Sequence, residues 1–530
     1  MPKGYVVMVL HAHLPYVRHP EYEEFLEERW LFEAVFETYI PLIRMFKRLE
    51  KDGVNFKLTM SITPPLMEML TTKDLMEKFK RHMGKLIELS DKEVVRTESE
   101  NPLKHKMAKY YSLNFKEIMA IFNEYEGNIL KAFKEYMDKG KLDILTCNAT
   151  HGYLPLMEIH PYAVRAQIKI GVDTYIRHMG RKPRGIWLAE CAYYPGLDEI
   201  LAEYDLEYFF LDSHGFWYAD DRPRYGVYRP VMTPSGVFAF ARDPESSEQV
   251  WSAEVGYPGD SRYREFYRDI GFDREYDYIK DYIDKSGVRV NTGIKYHRIT
   301  SKETPLSDKE LYDIDEALQA VKEHAMDFLS KKESQAENLN ALFGGVEPVI
   351  VAPFDAELFG HWWYEGPFFL EEFFRLLDRS KKINPATAGE IIDRIDMAQI
   401  ITPASSSWGA NGYNEVWLNG KTDWIYPHQH ELEEKMREVA MTIDETDPVM
   451  VRLARQMVRE LLLLQASDWA FIITTGTSVN YAAKRVREHA RRFLDLYDMF
   501  RSGKVDEGRL SYYEWVDSIF PEVDYKIYAS

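Results

Sequence analysis

Cysteine is nearly missing from this 530-residue chain, where Cys147 and Cys191 are the whole complement. Two cysteines make no disulfide framework, and without a close pair they supply no structural zinc site. A reducing compartment suits such a chain, so a cytoplasmic location is expected. Long apolar runs are missing too: no stretch approaches the roughly 20 residues that span a bilayer, so no membrane partner is expected. The opening MPKGYVVMVLHAHLPY holds one lysine and a short apolar run that enters a His-x-His without a small-residue cleavage site. It reads as a first strand rather than an export signal. Nor is there an excess of basic charge. With 67 Lys and Arg against 86 Asp and Glu, the net charge of -19 repels polyanions, which excludes nucleic acid and anionic lipid as partners and favours neutral or cationic ones. No internal repeat or low-complexity tract appears.

What is present is apolar and aromatic. The chain is 45% hydrophobic and 14% aromatic, with 35 Tyr and 11 Trp, which is the composition of a packed protein with rings to spare. At roughly 150 residues per domain the length suggests about three packing units. From residue 5 to 403, short runs rich in Val, Ile and Phe alternate with helical stretches, the pattern of β/α units on a parallel sheet. The candidate strands are VVMVL, KLTMSI, LDILTC, GIWLAE, YFFLDS, VRVNTG and PVIVAPF, seven in all, which points to an α/β fold with an incomplete barrel. Between about 73 and 140 the pattern becomes charged and helical, with Phe115, Ile118, Met119, Phe122, Ile129 and Phe133 spaced along one apolar face, so a helical insertion is expected there. Residues 236–273 carry Gly-Pro turns, charges and aromatics without a period and read as a long irregular loop of the kind that serves function. Residues 404–530 open with a Trp-rich, turn-rich segment and continue as helices, a C-terminal helical domain after a catalytic region at 1–403.

In a parallel barrel the functional groups stand at the strand C-termini. VVMVL ends in His11 and His13, LDILTC in Asn148 and His151, GIWLAE in Glu190, and VIVAPF in Asp355 and Glu357. Glu190 and Asp355 therefore come from different strands to one mouth. Two carboxyls about 5 to 5.5 Å apart suit a retaining glycosidase, one as nucleophile and the other as general acid and then base. Mutual repulsion with partial burial can hold the proton on the acid. A strand-end carboxylate can equally cap a helix or pair with an arginine, but two of them flanked by aromatics and histidines favour catalysis. For His11 and His13, contact with sugar hydroxyls ranks first, a divalent metal completed by Asp355 second, and a satisfied core histidine remains a third reading. His151 is ranked in the same way. Most tryptophans are core, Trp362 and Trp363 included. Trp408 and Trp417, in Gly, Asn and Ser contexts, and Trp251 in the long loop are harder to bury and suit stacking on a neutral carbohydrate. Cys147 and Cys191 read as small packed side chains beneath the pocket.

At these residues the sequence resembles glycoside hydrolase family 57. The resemblance is carried by HAHLPY at 11–16, CNATHGYLPL at 147–156, WLAEC at 187–191, APFDAELFGHWW at 352–363 and ASDWAF at 466–471, in order and across nearly the whole chain. Length, helical C-terminal domain and Trp-rich entry look most like the 1,4-α-glucan branching enzymes of that family. The resemblance implies an incomplete (β/α)7 barrel, a retaining mechanism, no metal or other cofactor, and an α-glucan substrate. It implies Glu190 as nucleophile and Asp355 as general acid/base. Arg242, Gly259, Trp408 and Asp468 match positions that contact glucan, and Trp251 and Trp417 match aromatic positions at the site. α-Amylases and 4-α-glucanotransferases share the carboxylate pair and stand as the alternative activity.

Overall fold

The computed structural model describes residues 2–252 and 256–529. Nine strands form its sheet: β1 (Gly4–Ala12), β2 (Leu58–Ile62), β3 (Leu142–Cys147), β4 (Gly185–Trp187), β5 (Tyr208–Leu211), β6 (Val231–Met232), β7 (Phe238–Ala241), β8 (Val349–Asp355) and β9 (Ile383–Pro385). They lie in the order β6-β7-β5-β4-β3-β2-β1-β8, with β9 paired to the start of β1. Every pairing is parallel except β6 with β7. Seven parallel strands thus curl from β8 to β7 as an incomplete (β/α)7 barrel. No ladder closes the seam among the described residues. A backbone hydrogen bond from Asp243 N–H to Val351 O (2.8 Å) crosses it, and the wholly buried Asp243 carboxylate meets the Lys332 ammonium there at 3.1 Å. Breaking such a pair from one side leaves an uncompensated buried charge, which holds the seam shut.

Strand periodicity of two divides the core. Val7 and Val9 of β1 join Leu145, Cys147, Trp187, Phe210, Phe240, Val349 and Val351 inside the barrel, whereas Val6, Met8 and Leu10 face the surrounding helices. His11 continues the inward face of β1, and Asp355, its register partner on β8, continues that of Val349 and Val351. The same alternation that builds the wall therefore aims both polar groups over its rim. Close packing outside the wall needs glycine at one point. A Cβ on Gly171, in the helix Pro161–Met179, would stand 2.2 Å from the Cys147 carbonyl oxygen.

Helices Lys73–Thr97, Pro102–Glu124 and Leu130–Asp138 occupy the insertion between β2 and β3, and Phe115, Ile118, Phe122, Ile129 and Phe133 are buried as their spacing predicts. The C-terminal region is built from Ile425–Thr442, Pro448–Leu464, Ser467–Thr475, Val479–Ser502 and Glu507–Val516. Two expectations are corrected. VRVNTG at 288–293 is not a strand: the buried Asp269 carboxylate accepts the N–H groups of Thr292 (3.0 Å) and Gly293 (2.9 Å), so this backbone is satisfied by a side chain instead of a ladder. The seventh parallel strand is β7, which lies with the helix Pro244–Trp251 inside the stretch read as irregular loop. Four residues, FAFA, are too short to announce a period. Part of that stretch, residues 253–255, lies outside the described residues.

Candidate active site

Three imidazoles line the rim. His11 stacks on Trp187 (4.8 Å between centroids, 18°) and places Nε2 3.0 Å from His151 Nε2. His151 in turn stacks on His13 at 3.8 Å, with its Nδ1 2.9 Å from the Ser467 hydroxyl. His13 sits between Thr63 Oγ1 (3.0 Å from Nδ1) and the Asp468 carboxylate (2.9 Å from Nε2). Burial, with His13 nearby, holds the pKa values of His11 and His151 well below the usual imidazole range. Burial also opposes protonation of His13, but Asp468, helped by Glu190 and Glu357, outweighs it and raises the pKa. Of the three imidazoles, His13 is therefore the one whose protonation the surroundings favour, through Asp468.

Glu190 follows β4 in a left-handed turn (φ 62°), flanked by Cys191 at φ 50°, while His151 across the mouth has φ 58°. Such conformations persist only where the surroundings over-determine them. Here the Asn148 side chain accepts Ala189 N–H (3.2 Å) and donates to Gly152 O (2.8 Å), tying the ends of β3 and β4 together. The segment entering the C-terminal region pairs with the turn from the other side, where Trp408 N–H donates to Glu190 O at 2.9 Å. The Glu190 carboxylate accepts the Trp408 indole N–H at 2.7 Å and the Ser467 hydroxyl at 3.3 Å. Burial, reinforced by the Asp468 charge, pushes its pKa up to about 7 despite these donors and His13.

Asp355 ends β8 with its carboxyl in the field of two others. Burial first, then Glu357 and Glu190, raise its pKa well above the carboxylate range, with Arg242 opposing. Arg242 follows β7 and pairs with Asp212 at the end of β5 (2.6 Å). Glu357 is fixed by the Tyr39 hydroxyl and by His13 N–H (3.1 Å). Tyr39 closes a π-helical turn, Val35–Tyr39, against which the loop after β8 is pressed: a Cβ on Gly360 (φ 116°) would stand 1.9 Å from Glu37 O.

The structure thus gathers His11, His13, His151, Glu190, Asp355, Trp408, Asp468 and Arg242 around one mouth. Trp251 (41% exposed) and Gly259, exposed in the turn Tyr257–Gly259, stand on the segment after β7 without a described contact to the carboxyls. Two tryptophan readings are corrected. Trp417 is 1% exposed, stacked on Tyr153 (4.3 Å, 20°), so its ring is core and offers no free face. Trp362, read as core, is 56% exposed. Cys147 and Cys191 are free thiols packed beneath the rim, as read. The metal trio weighed from sequence is not assembled, because the carboxylate on His13 is Asp468 rather than Asp355. His13, His151 and Asp468 do lie within 4.8 Å of one another. Their rings are stacked only 17° from parallel, however, so in-plane lone pairs run side by side instead of converging on one ion. Sequence reading placed Glu357 beside Asp355 but missed Ser467, Tyr39 and Asp212. Ser467 had a signal in its place beside Asp468 in ASDWAF, and Asp212 in its place at the end of YFFLDS.

Comparison with known proteins places the chain in a family. The family model described as Glycosyl hydrolase family 57 matches residues 7–341, and that described as 1,4-alpha-glucan branching enzyme, C-terminal, matches residues 428–528. A solved structure of the α-amylase AmyC from Thermotoga maritima is 62% identical, with TM-score 0.95 over 100% of this chain and 99% of that one. A branching enzyme structure from Thermococcus kodakaraensis is 36% identical, with TM-score 0.89 over 100% and 97% of the two chains. One from Pyrococcus horikoshii is 34% identical with the same score and coverage. The curated 1,4-alpha-glucan branching enzyme of Thermococcus kodakarensis is 36% identical over 95% of this chain and 75% of its own length. With the family model matched over residues 7–341, more than half the chain, this protein belongs to glycosyl hydrolase family 57.

Proposed function

We propose that the protein is a 1,4-α-glucan branching enzyme that cleaves an α-1,4 bond with retention and transfers the glucan segment to a 6-hydroxyl. The observation that carries this reading is the pair of carboxyls at the barrel mouth, Glu190 and Asp355, each tuned by burial and one placed in the other's field. In the first step a Glu190 oxygen attacks the anomeric carbon, the bond from that carbon to O4 breaks, and the Asp355 proton passes to O4. In the second, Asp355 takes the proton of an incoming 6-hydroxyl, its oxygen bonds to the anomeric carbon, and the Glu190 ester breaks. Trp408 and Ser467 hold the nucleophile by hydrogen bonds, and the protonated form of His13, which Asp468 favours, stabilises its ionised form. His11 and His151, buried and joined Nε2 to Nε2, act from beneath the sugar by bracing His13 and Ser467; Arg242, Gly259 and Trp251 belong to the rim beyond β7. Trp417 acts through packing on Tyr153.

Two contributions from beyond residue 403, Trp408 and the start of the helix Ser467–Thr475, support a division of labour between the catalytic barrel (1–403) and the helical domain (404–530), which helps exclude water and seat the acceptor. The Thermococcus and Pyrococcus relatives are branching enzymes, and the C-terminal match points the same way. The more identical Thermotoga structure is of an α-amylase, so hydrolysis is the competing outcome. Linear amylose incubated with the parent and with Glu190→Gln, then debranched and sized, decides between them. Branching creates new debranchable linkages in the parent alone; shortened linear chains without them would assign hydrolysis. No described helix is long and apolar enough to cross a membrane. The polymer we propose is glycogen-like and the compartment the cytoplasm, a reducing location that two buried free thiols support.

A further inference from the structure

Trp362 is a large aromatic left open in a place where the fold takes trouble to hold it. Its ring stacks on Phe266 (4.4 Å between centroids, 20°), and the His361 ring stands edge-on to both, 5.4 Å from Trp362 and 5.5 Å from Phe266. Each support is itself anchored. His361 Nδ1 lies 2.6 Å from Glu37 Oε2 of the π-helical turn. The buried Lys295 donates to the Phe266 carbonyl and brings its ammonium 4.4 Å from the Phe266 ring. The Trp362 N–H reaches back to Glu357 O at 3.2 Å. One face of the indole is thus covered by Phe266, while the residue remains 56% exposed, with the more exposed Tyr267 beside Phe266. A ring placed only for packing would be buried; this one is pre-organised and presented.

Its place gives the ligand. Trp362 stands seven residues beyond Asp355 on the same strand-end loop, tied to the residue two positions after that carboxyl. On the proposed mechanism Asp355 protonates the leaving oxygen and later receives the acceptor's proton, so it faces the leaving-group and acceptor side. The Glu190 side is built instead by Trp408 and Trp187. From this we infer that Trp362, backed by Phe266, is an acceptor-side platform on which a glucosyl ring of an α-1,4-glucan stacks through its C–H face. The ligand is neutral, in keeping with the chain's negative charge, and an aromatic face needs no ionic partner to hold it.

The inference rests on the proposed reading of the site, and its test separates the two. In the Glu190→Gln background, which holds substrate without turnover, maltoheptaose binding is measured by titration calorimetry for Trp362 and for Trp362→Ala and Trp362→Phe. Loss of a stacked ring is expected to weaken binding by about fivefold to tenfold, with Trp362→Phe recovering most of it. In the active enzyme, Trp362→Ala is expected to lower the ratio of transfer to hydrolysis, because water needs no platform. Unchanged affinity in a variant with unaltered circular dichroism overturns the proposal, as does weakened binding that Trp362→Phe fails to restore. If affinity falls as expected but the parent makes no α-1,6 linkages, the platform stands and the branching reading fails.

Discussion

Replacing Trp408 by Phe removes the indole N–H together with part of the ring, and tests the electrostatics of the nucleophile. Glu190 is 14% exposed, and burial, with Asp468 near, brings its pKa to about 7 against the pull of the Trp408 hydrogen bond. A hydrogen bond to a charged group is worth about 1.5–3 kcal/mol. Water entering the space left by the smaller ring restores part of that, leaving roughly 1.4 kcal/mol, or ~1 pKa unit. The direction follows from the chemistry: the indole N–H stabilises the carboxylate, so its loss raises the pKa and moves the acid limb of kcat/KM upward from about 7. The assay is kcat/KM for reducing-end release from a maltooligosaccharide, followed across pH for parent and variant. Any lost contact with sugar lowers the ratio of variant to parent equally at every pH. Well below both limbs the ratio is expected to fall a further ~tenfold. A ratio independent of pH would refute the claim that Trp408 tunes Glu190.

The same burial makes Glu190 a cost to the fold: its pKa rises from 4.5 unfolded to about 7 folded, so the native state holds the proton more tightly and stability falls as pH rises between those values. Glu190→Gln escapes this loss and should be more stable than the parent above that window by up to ~3 kcal/mol, with little gain at the acid end, as read from denaturant melts at the two pH values. Ser467→Ala removes the hydroxyl shared by His151 and Glu190 and should cost roughly tenfold in kcat/KM while Tm changes little, whereas a fall in Tm alone would make Ser467 structural. Asp468→Asn should drop the pKa of His13 below its parent value, visible in an NMR titration of its ring, since the carboxylate is the main group raising it. Asp269→Ala should destabilise by about 3 kcal/mol or more and expose the amides of Thr292 and Gly293 to hydrogen exchange, because several buried donors lose one acceptor together.

Much of the site was legible along the chain because barrel strands carry their chemistry at their own ends. His11, Glu190 and Asp355 are each found by asking where an apolar run stops. Trp417 shows the limit of composition: its polar, turn-rich neighbours sit at the surface while its ring turns inward onto Tyr153, a partner 264 positions away in sequence. Trp362 shows the converse, an aromatic beside a buried one, placed outside by the tight turn at Gly360. The strand β7 escaped because four residues cannot display a period, and VRVNTG misled because β-branched residues favour extended backbone whether or not a ladder is there to meet it.

Local order alone therefore determined the alternating wall, the helical insertion, the helical C-terminal region and the carboxyls at the rim, since each depends on neighbours within a few residues. Tertiary structure decided what those carboxyls meet: Ser467 and Asp468 arrive at Glu190 and His13 from the far end of the chain, anchored by Ser467 N–H on His151 O at 3.0 Å. The ionisation of each group is set by the burial and charge that such distant contacts create, and no spacing along a strand encodes them.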